Sequence, residues 1–402
     1  MAGEVIAMTG CLPPRLPPGL VAGTFVVVAV LASTLIVYRL YLSPIVRISP
    51  NEVHINDPEY FAELNSNTLK LDKYAWYYGF AAAAGSGFGT VSSDLHRIRR
   101  NALAKYFSTS NVSHLEPFIQ KWVAKLCSRL KEHRQDAKVV DLSNAYRCFA
   151  QDSLKDSAAS IVSSKGRTLE NAKPTVLQEI YDSDLPASEK SVSRFFQEAQ
   201  TLTIAGTETT SNTLSFTTFY LLSDPTKIEL LKRELIDMKR DLSQPLAYFD
   251  LQKLPYLAAV ITEGLRISDS VAGRLPRVNR NAAMRYKSFE IPAGTAISMS
   301  IRDIHFNESI FSSAHEFQPE RWLGDAAKKQ ALEKFMIAFS RGPRNCIGMN
   351  LALAEMYLVI GTLFRNFDMR LFDTKEEDLT IAHDFFMPFG PSDSKGLRVK
   401  VL

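Results

Sequence analysis

The chain has 402 residues, of which 46% are hydrophobic and 22% charged. That composition supports a sizeable core in one large domain or two ordinary ones and excludes global disorder. A formal charge of +4 is too mild for a nucleic-acid binder. Four cysteines (Cys11, Cys127, Cys148 and Cys346) with no C-x-x-C pair exclude a disulfide framework and a structural zinc site.

The first element is a 19-residue run without a charge, Leu20 to Tyr38, after a Pro-rich lead. As a helix it reaches roughly 28 Å, close to the hydrocarbon thickness of a bilayer. We expect a lumenal lead at 1–19, a transmembrane anchor at 20–38 and a single domain over 39–402. Arg39 and Arg47 follow the span and place that domain on the cytosolic side. A cleaved signal peptide fits less well, because the apolar run is long and no basic region precedes it.

Short apolar runs at Ile45–Ile48 and Val53–Ile55 flank Pro50-Asn51 and predict a hairpin. Asp57-Pro58 predicts a helix start, with Asp as cap and Pro at the first helical position. Residues 81–89 form a small-residue loop. Its G-S-G-F-G lacks the third glycine of the phosphate-binding fingerprint, since Thr90 stands there. Helices are predicted near 93–107, 113–134, 143–160, 189–222, 224–240 and 250–268, and strands near 272–278, 284–290 and 295–300. A helix near 326–337, another at 348–366 and closing strands near 368–372 and 396–401 complete the chain. The fold class is mainly α with a small β sheet.

The most informative segment is Phe339-Ser-Arg-Gly-Pro-Arg-Asn-Cys-Ile-Gly348. It reads as a tight loop carrying one cysteine into a helix start. Gly342 and Gly348 permit positive φ or close approach of a flat ligand. The helix N-terminus and nearby backbone N–H groups favour a thiolate, and Arg344 is placed to reach a carboxylate. Glu263-Gly-Leu-Arg266 puts two opposite charges on one helix face, and Phe317-Gln-Pro-Glu-Arg-Trp322 supplies Arg321. Ala205-Gly-Thr-Glu-Thr-Thr210 lies mid-way along a long helix whose flanks are too apolar for a solvated face. Its glycine and threonines predict a local break.

Phe339 to Gly348 matches F-x-x-G-x-R-x-C-x-G, and with the other segments the chain resembles the cytochrome P450 family, chiefly its membrane-bound fungal members of the trichodiene-oxygenase-like group. The resemblance implies the family's fold and haem b with Cys346 as axial thiolate, a ligand that favours O–O cleavage. It implies that Arg344, His96, Arg100 and Arg277 meet the haem propionates and that Phe339 and Gly348 shape the cysteine loop. Glu263, Arg266 and Arg321 become a buried structural network. Glu208 and Thr209 become a catalytic proton relay, with Ala205 and Gly206 leaving room above the haem. Leu202, Val271, Ala272, Phe386 and Met387 fall at pocket positions. Arg97, Arg99, Lys121, Lys125, Lys334 and Arg341 make a basic face for an acidic flavoprotein reductase that passes electrons from NADPH.

By the same resemblance the substrate is an apolar small molecule such as a terpenoid or other fungal secondary metabolite, and the protein is a single-pass endoplasmic reticulum membrane enzyme. The chain is shorter than membrane-bound members. The post-anchor segment Tyr38–Pro44 runs directly into Ile45–Pro50, and few residues separate Asp156 from Lys165 where the helices roofing the substrate pocket belong. Two other functions therefore stand beside the monooxygenase: a truncated, catalytically impaired form that keeps the haem motifs, and a haem-thiolate isomerase or dehydratase.

Overall fold

The computed structural model describes residues 44–81, 83–159, 176–238, 241 and 244–402. The expected lead and anchor lie outside these residues, as do residues 160–165. Among the described residues no helix is long and apolar enough to cross a membrane.

In chain order, β1 (Ile45–Ser49) and β2 (Glu52–Ile55) form the expected hairpin, followed by α1 (Tyr60–Leu64), β3 (Asp72–Lys73) and α2 (Ala75–Tyr78). The helical body comprises α3 (Ser93–Ala104), α4 (Thr109–Gln135), β4 (Val139–Asp141), α5 (Leu142–Ala159), α6 (Val176–Asp182), α7 (Val192–Ser223) and α8 (Pro225–Met238). Then come α9 (Tyr248–Leu251), α10 (Pro255–Ile267), β5 (Arg277–Val278), β6 (Met284–Tyr286), β7 (Phe289–Ile291), β8 (Ala296–Ser298) and α11 (Ile301–His305). The chain closes with α12 (Ala326–Glu333), α13 (Met349–Asn366), β9 (Met369–Leu371), β10 (His383–Phe385), β11 (Met387–Phe389) and β12 (Arg398–Val401).

Several boundaries differ from the sequence reading for identifiable reasons. The helix after Asp57-Pro58 starts at Tyr60, because Asp57 instead closes the preceding turn: its Oδ1 accepts the Glu59 N–H at 3.2 Å and its Oδ2 accepts the Tyr286 hydroxyl. α4 begins four residues earlier than predicted, where Ser108 Oγ accepts the Asn111 N–H. The single helix expected over 250–268 is two. Pro255 opens α10, and Glu234 caps it by accepting the Tyr256 and Leu257 N–H groups at 2.8 Å each. The strand expected over 284–290 folds back as the β6–β7 hairpin through Lys287 at φ 52°.

The strands make one five-stranded sheet ordered β1-β2-β8-β5-β3, a three-stranded sheet β4-β12-β9, and the hairpins β6-β7 and β10-β11. The main core is helical: α7 packs along α5 and meets α10 and α13, burying Leu214, Leu221, Val260 and Val359. A second core joins the five-stranded sheet to α1 and α11 through Ile55, Phe61, Ile297 and Ile304. The junction of these bodies, where α7, α10, α11 and the start of α13 converge, holds the site.

Candidate functional site

The cysteine loop is tied by its own backbone. Cys346 N donates to Phe339 O at 2.8 Å, and Asn345 N donates to Gly342 O at 3.1 Å. Gly342 has φ +70°, and a Cβ there would lie 1.8 Å from Asn65 O, so the position needs glycine. Its freedom serves this backbone crossing rather than a flat ligand. Gly348 is ordinary at φ −82° and precedes the first turn of α13; a Cβ there would sit 4.0 Å from Cys346 Sγ. Cys346 opens onto a cavity of about 170 Å³. It is exposed to that cavity while the protein encloses it on its other sides, so burial pushes the thiol pKa up. The Gly348 N–H and the Arg100 charge pull it down.

The walls are mostly apolar and include Leu202, Val271 and Phe339. Ala272, Phe386 and Met387 are not among the lining residues. Phe386, at φ 74°, packs its ring against Phe80 and Phe88 instead. Ala205, Gly206 and Thr209 of α7 line the cavity. A Cβ at 206 would come 2.4 Å from Leu154 Cδ1, so Gly206 also lets α7 approach α5. α7 does not break here. Thr209 and Thr213 donate their hydroxyls to the carbonyls four residues earlier, at 2.7 and 3.1 Å, which satisfies them inside an intact helix. Glu208 is not a lining residue and accepts from Arg147 Nε of α5 at 3.1 Å.

Beside the cavity lies a cluster of cations. Arg344 donates to Thr90 O and Val91 O at 2.7 Å each, and Arg277 donates to the Tyr78 hydroxyl at 2.9 Å. Arg100 grips Asn345 through its carbonyl (2.7 Å) and Oδ1 (2.6 Å), next to Cys346. Burial, reinforced by Arg344 and then Arg100, holds the His96 pKa down at about 3, so its ring is neutral. Burial followed by Arg277 lowers Arg344 to about 10. Among the described residues no carboxylate stands at ion-pair distance from Arg100, Arg277, Arg344 or His96. Partly buried arginines held together without a carboxylate at contact distance are costly. The donor set therefore fits a ligand that brings its own carboxylates and a metal that takes a single thiolate. Among the described residues no group of three or more His, Cys, Asp or Glu side chains converges to hold a bare ion.

Glu263, Arg266 and Arg321 meet as the sequence indicates. Arg266 bonds both Glu263 oxygens at 2.9 and 2.8 Å, and Arg321 Nε reaches Oε1 at 3.0 Å. Trp322 Nε1 and the Gln318 N–H add two further donors. Arg266 also donates to the carbonyls of His305, Ala314 and Glu316, which fastens α10 to the segment leading into the cysteine loop.

The expected basic face loses one member. Arg99 is buried and pairs with Glu189 at 2.7 Å, whereas Arg97, Lys121 and Lys125 are exposed. Lys125 also reaches Asp152, and Lys334 reaches Glu59. Three polar residues at the site escaped the sequence reading. Lys73 belongs with the cation cluster. Glu355 lines the cavity from α13 and accepts the Ser153 hydroxyl at 2.7 Å. Asp269, at φ 43°, accepts from Arg302 at 2.9 Å. Only Glu355 had a legible signal, as the one charge within the apolar run Leu351–Ile360.

Residues 150–392 match the family model described as Cytochrome P450. The chain is 32% identical to the cytochrome P450 monooxygenase sdnE of Sordaria araneosa, with 89% of this chain and 85% of the relative covered. It is 33% identical to the tryptophan 6-hydroxylase fscE of Fusarium equiseti (89% and 84% covered) and 32% identical to the cytochrome P450 monooxygenase TRI4 of Trichoderma arundinaceum (89% and 84%). The first match runs over 441 aligned positions. Since 89% of 402 residues is about 358, about 80 of those positions face no residue of this chain.

Proposed function

The chain belongs to the cytochrome P450 family, and from that premise we propose that it binds haem b through the Cys346 thiolate and oxygenates an apolar small molecule of fungal secondary metabolism, a terpenoid or an aromatic amino-acid derivative. The observation that carries this reading is the placement of Cys346 on the floor of an apolar cavity, with Thr209 on the wall and, alongside, cations that have no carboxylate at ion-pair distance among the described residues. When bound, the haem supplies the activation of dioxygen.

Each residue has a part that follows from its position. Arg344 and Arg277, with His96 and Arg100 on α3, would hold the two propionates. The Gly348 N–H supports the sulfur's negative charge. Thr209 holds its hydroxyl proton at the cavity wall, donated to Ala205 O, and by turning from that carbonyl would donate into the cavity and be reprotonated by water there. Leu202 and Val271 press the apolar substrate against that wall and exclude water. Glu263, Arg266 and Arg321 hold the loop rather than touch the substrate.

The finer parts of the reading rest on sequence. Residues 20–38 anchor the protein in the endoplasmic reticulum membrane with its body cytosolic, and a flavoprotein reductase delivers electrons from NADPH to the face carrying Lys121 and Lys125. A second reading, a truncated form that keeps haem but turns over poorly, is favoured by the aligned positions that face no residue here. The isomerase reading has no comparable support. The reduced, carbon-monoxide-bound spectrum of the full chain tests the proposal. A red-shifted Soret band that is lost in Cys346→His supports thiolate ligation. A band typical of a neutral ligand, or no haem uptake, overturns it. Turnover of a candidate substrate by a preparation with the correct band separates the enzyme from the impaired form.

A further inference from the structure

Lys73 is a buried lysine without an acidic partner. Its residue is 5% exposed, and its ammonium lies 4.0 Å from the Tyr78 ring centroid and 3.8 Å from that of Phe88. The ammonium donates to Phe88 O at 2.5 Å, which uses one of three donors. Two geometric relations place it in the cation cluster. In the β3–β5 pair Lys73 stands directly opposite Arg277, which is itself buried, and like charges in that relation repel across a strand pair. The Lys73 backbone N–H and the Arg344 guanidinium also share one acceptor, the carbonyl of Val91, at 3.0 and 2.7 Å. Burial and then the charges of Arg277 and Arg344 hold the Lys73 pKa well down. Among the described residues no carboxylate is at ion-pair distance from it.

Burying a lysine opposite an arginine carries a repulsion and a desolvation cost that an anion arriving between them would offset. The neighbouring Asp72 does not supply one, because its carboxylate is occupied by Arg280 at 3.0 Å and the Ser93 N–H at 2.7 Å. From this geometry we infer that Lys73 is a further haem-propionate ligand, contributed by the five-stranded sheet and completing a triangle with Arg277 and Arg344. The inference rests on the haem-thiolate reading above. It assigns a role to a residue outside every motif that identifies the family. The aromatic walls keep the ammonium from water, so its remaining donors are reserved for the carboxylate, and the attraction is stronger than at a solvated site.

The test is the rate at which ferric haem passes from the full-length protein to excess apomyoglobin, with ordinary haem and with haem dimethyl ester, whose propionates carry no charge. Lys73→Met is expected to release ordinary haem about tenfold or more faster than the unsubstituted chain, the loss of one charge-assisted hydrogen bond. Lys73→Arg is expected to recover most of the retention. With the dimethyl ester the substituted and unsubstituted chains should release at the same rate. The haem-free Lys73→Met chain should unfold close to the haem-free parent, because relief of the crowding by Arg277 and of the desolvated ammonium offsets the lost Phe88 O hydrogen bond and ring contacts. Equal release of ordinary haem, or a difference that persists with the ester, overturns the inference while leaving thiolate ligation intact. So does a haem-free variant that melts earlier, which marks a purely structural lysine. Failure to take up haem with a thiolate spectrum overturns the functional reading itself.

Discussion

Arg147 Nε on α5 donates to Glu208 Oε2 on α7 at 3.1 Å, which turns the acid of the Glu208-Thr209 pair into an inter-helix tie while its neighbour faces the cavity. The two residues therefore have separable roles. Thr209→Ala should cut product formed per NADPH consumed by at least about tenfold, the low end for removing a positioned proton donor. Glu208→Gln should reduce it less than about threefold, and it should lower stability by less than about 1 kcal/mol, since the pair is partly solvated. Coupling measurements on both variants decide. If Glu208→Gln falls as far as Thr209→Ala, the acid leaves Arg147 during turnover and shares the relay.

What the sequence reveals divides along physical lines. Cys346, the Glu263-Arg266 pair and the α7 segment are legible because their spacing is local, within one loop or a few helical turns. Arg321, 58 residues from Glu263, was found because Phe317-Gln-Pro-Glu-Arg-Trp322 is itself a motif. Lys73 and Asp269 were missed because their meaning lies in partners across the fold: Arg277 opposite in a strand pair, and Arg302 on α11. Arg99 was misplaced for the same reason. A basic helix face looks solvated until Glu189, 90 residues away, is seen to cover it. The continuity of α7 is not legible in threonine propensity, because the carbonyls four residues earlier that satisfy the Thr209 and Thr213 hydroxyls are supplied only by the folded helix.

The buried network should be unforgiving of charge removal. Glu263, itself fully buried, carries five hydrogen bonds from Arg266, Arg321, Trp322 and Gln318. Glu263→Gln keeps the shape but leaves two buried guanidinium groups without a counter-charge, at a cost of about 3–5 kcal/mol. Denaturant unfolding should show that loss, and haem incorporation should fall with it. A change below about 1 kcal/mol would mean that solvent reaches the arginines.

Gly342→Ala tests the loop independently of charge. A methyl group would stand 1.8 Å from Asn65 O, on a residue at φ +70°. The strain and the clash act together, so the expected loss exceeds about 1 kcal/mol. Because the contact lies between backbone segments, no rotamer change relieves it. Gly348→Ala, which meets only Cys346 Sγ at 4.0 Å, should fold normally but shift the thiolate Soret band. Paired melting curves and reduced carbon-monoxide spectra separate a folding glycine from a ligand-facing one.

Glu355 gives the fold a pH dependence of definite sign. Burial raises its pKa from 4.5 to about 8, against the smaller lowering effects of the Ser153 and Thr210 hydroxyls. The folded state therefore holds this proton more tightly than the unfolded chain does. The stability it confers relative to the ionised form is lost as pH rises from about 4.5 to about 8. His305 works in the other direction. Burial and then Arg266 depress its pKa from 6.5 to about 3, so stability falls as pH drops through that window. Glu355→Gln keeps an oxygen for Ser153 and cannot ionise. Its unfolding free energy should match the parent near pH 4.5 and exceed it at pH 8, while the acid limb set by His305 stays unchanged. Denaturant titrations of both chains at several pH values measure the difference directly. A parent that gains stability relative to Glu355→Gln on going from pH 5 to pH 8 would show that Glu355 is already ionised in the folded protein and balanced by a positive charge.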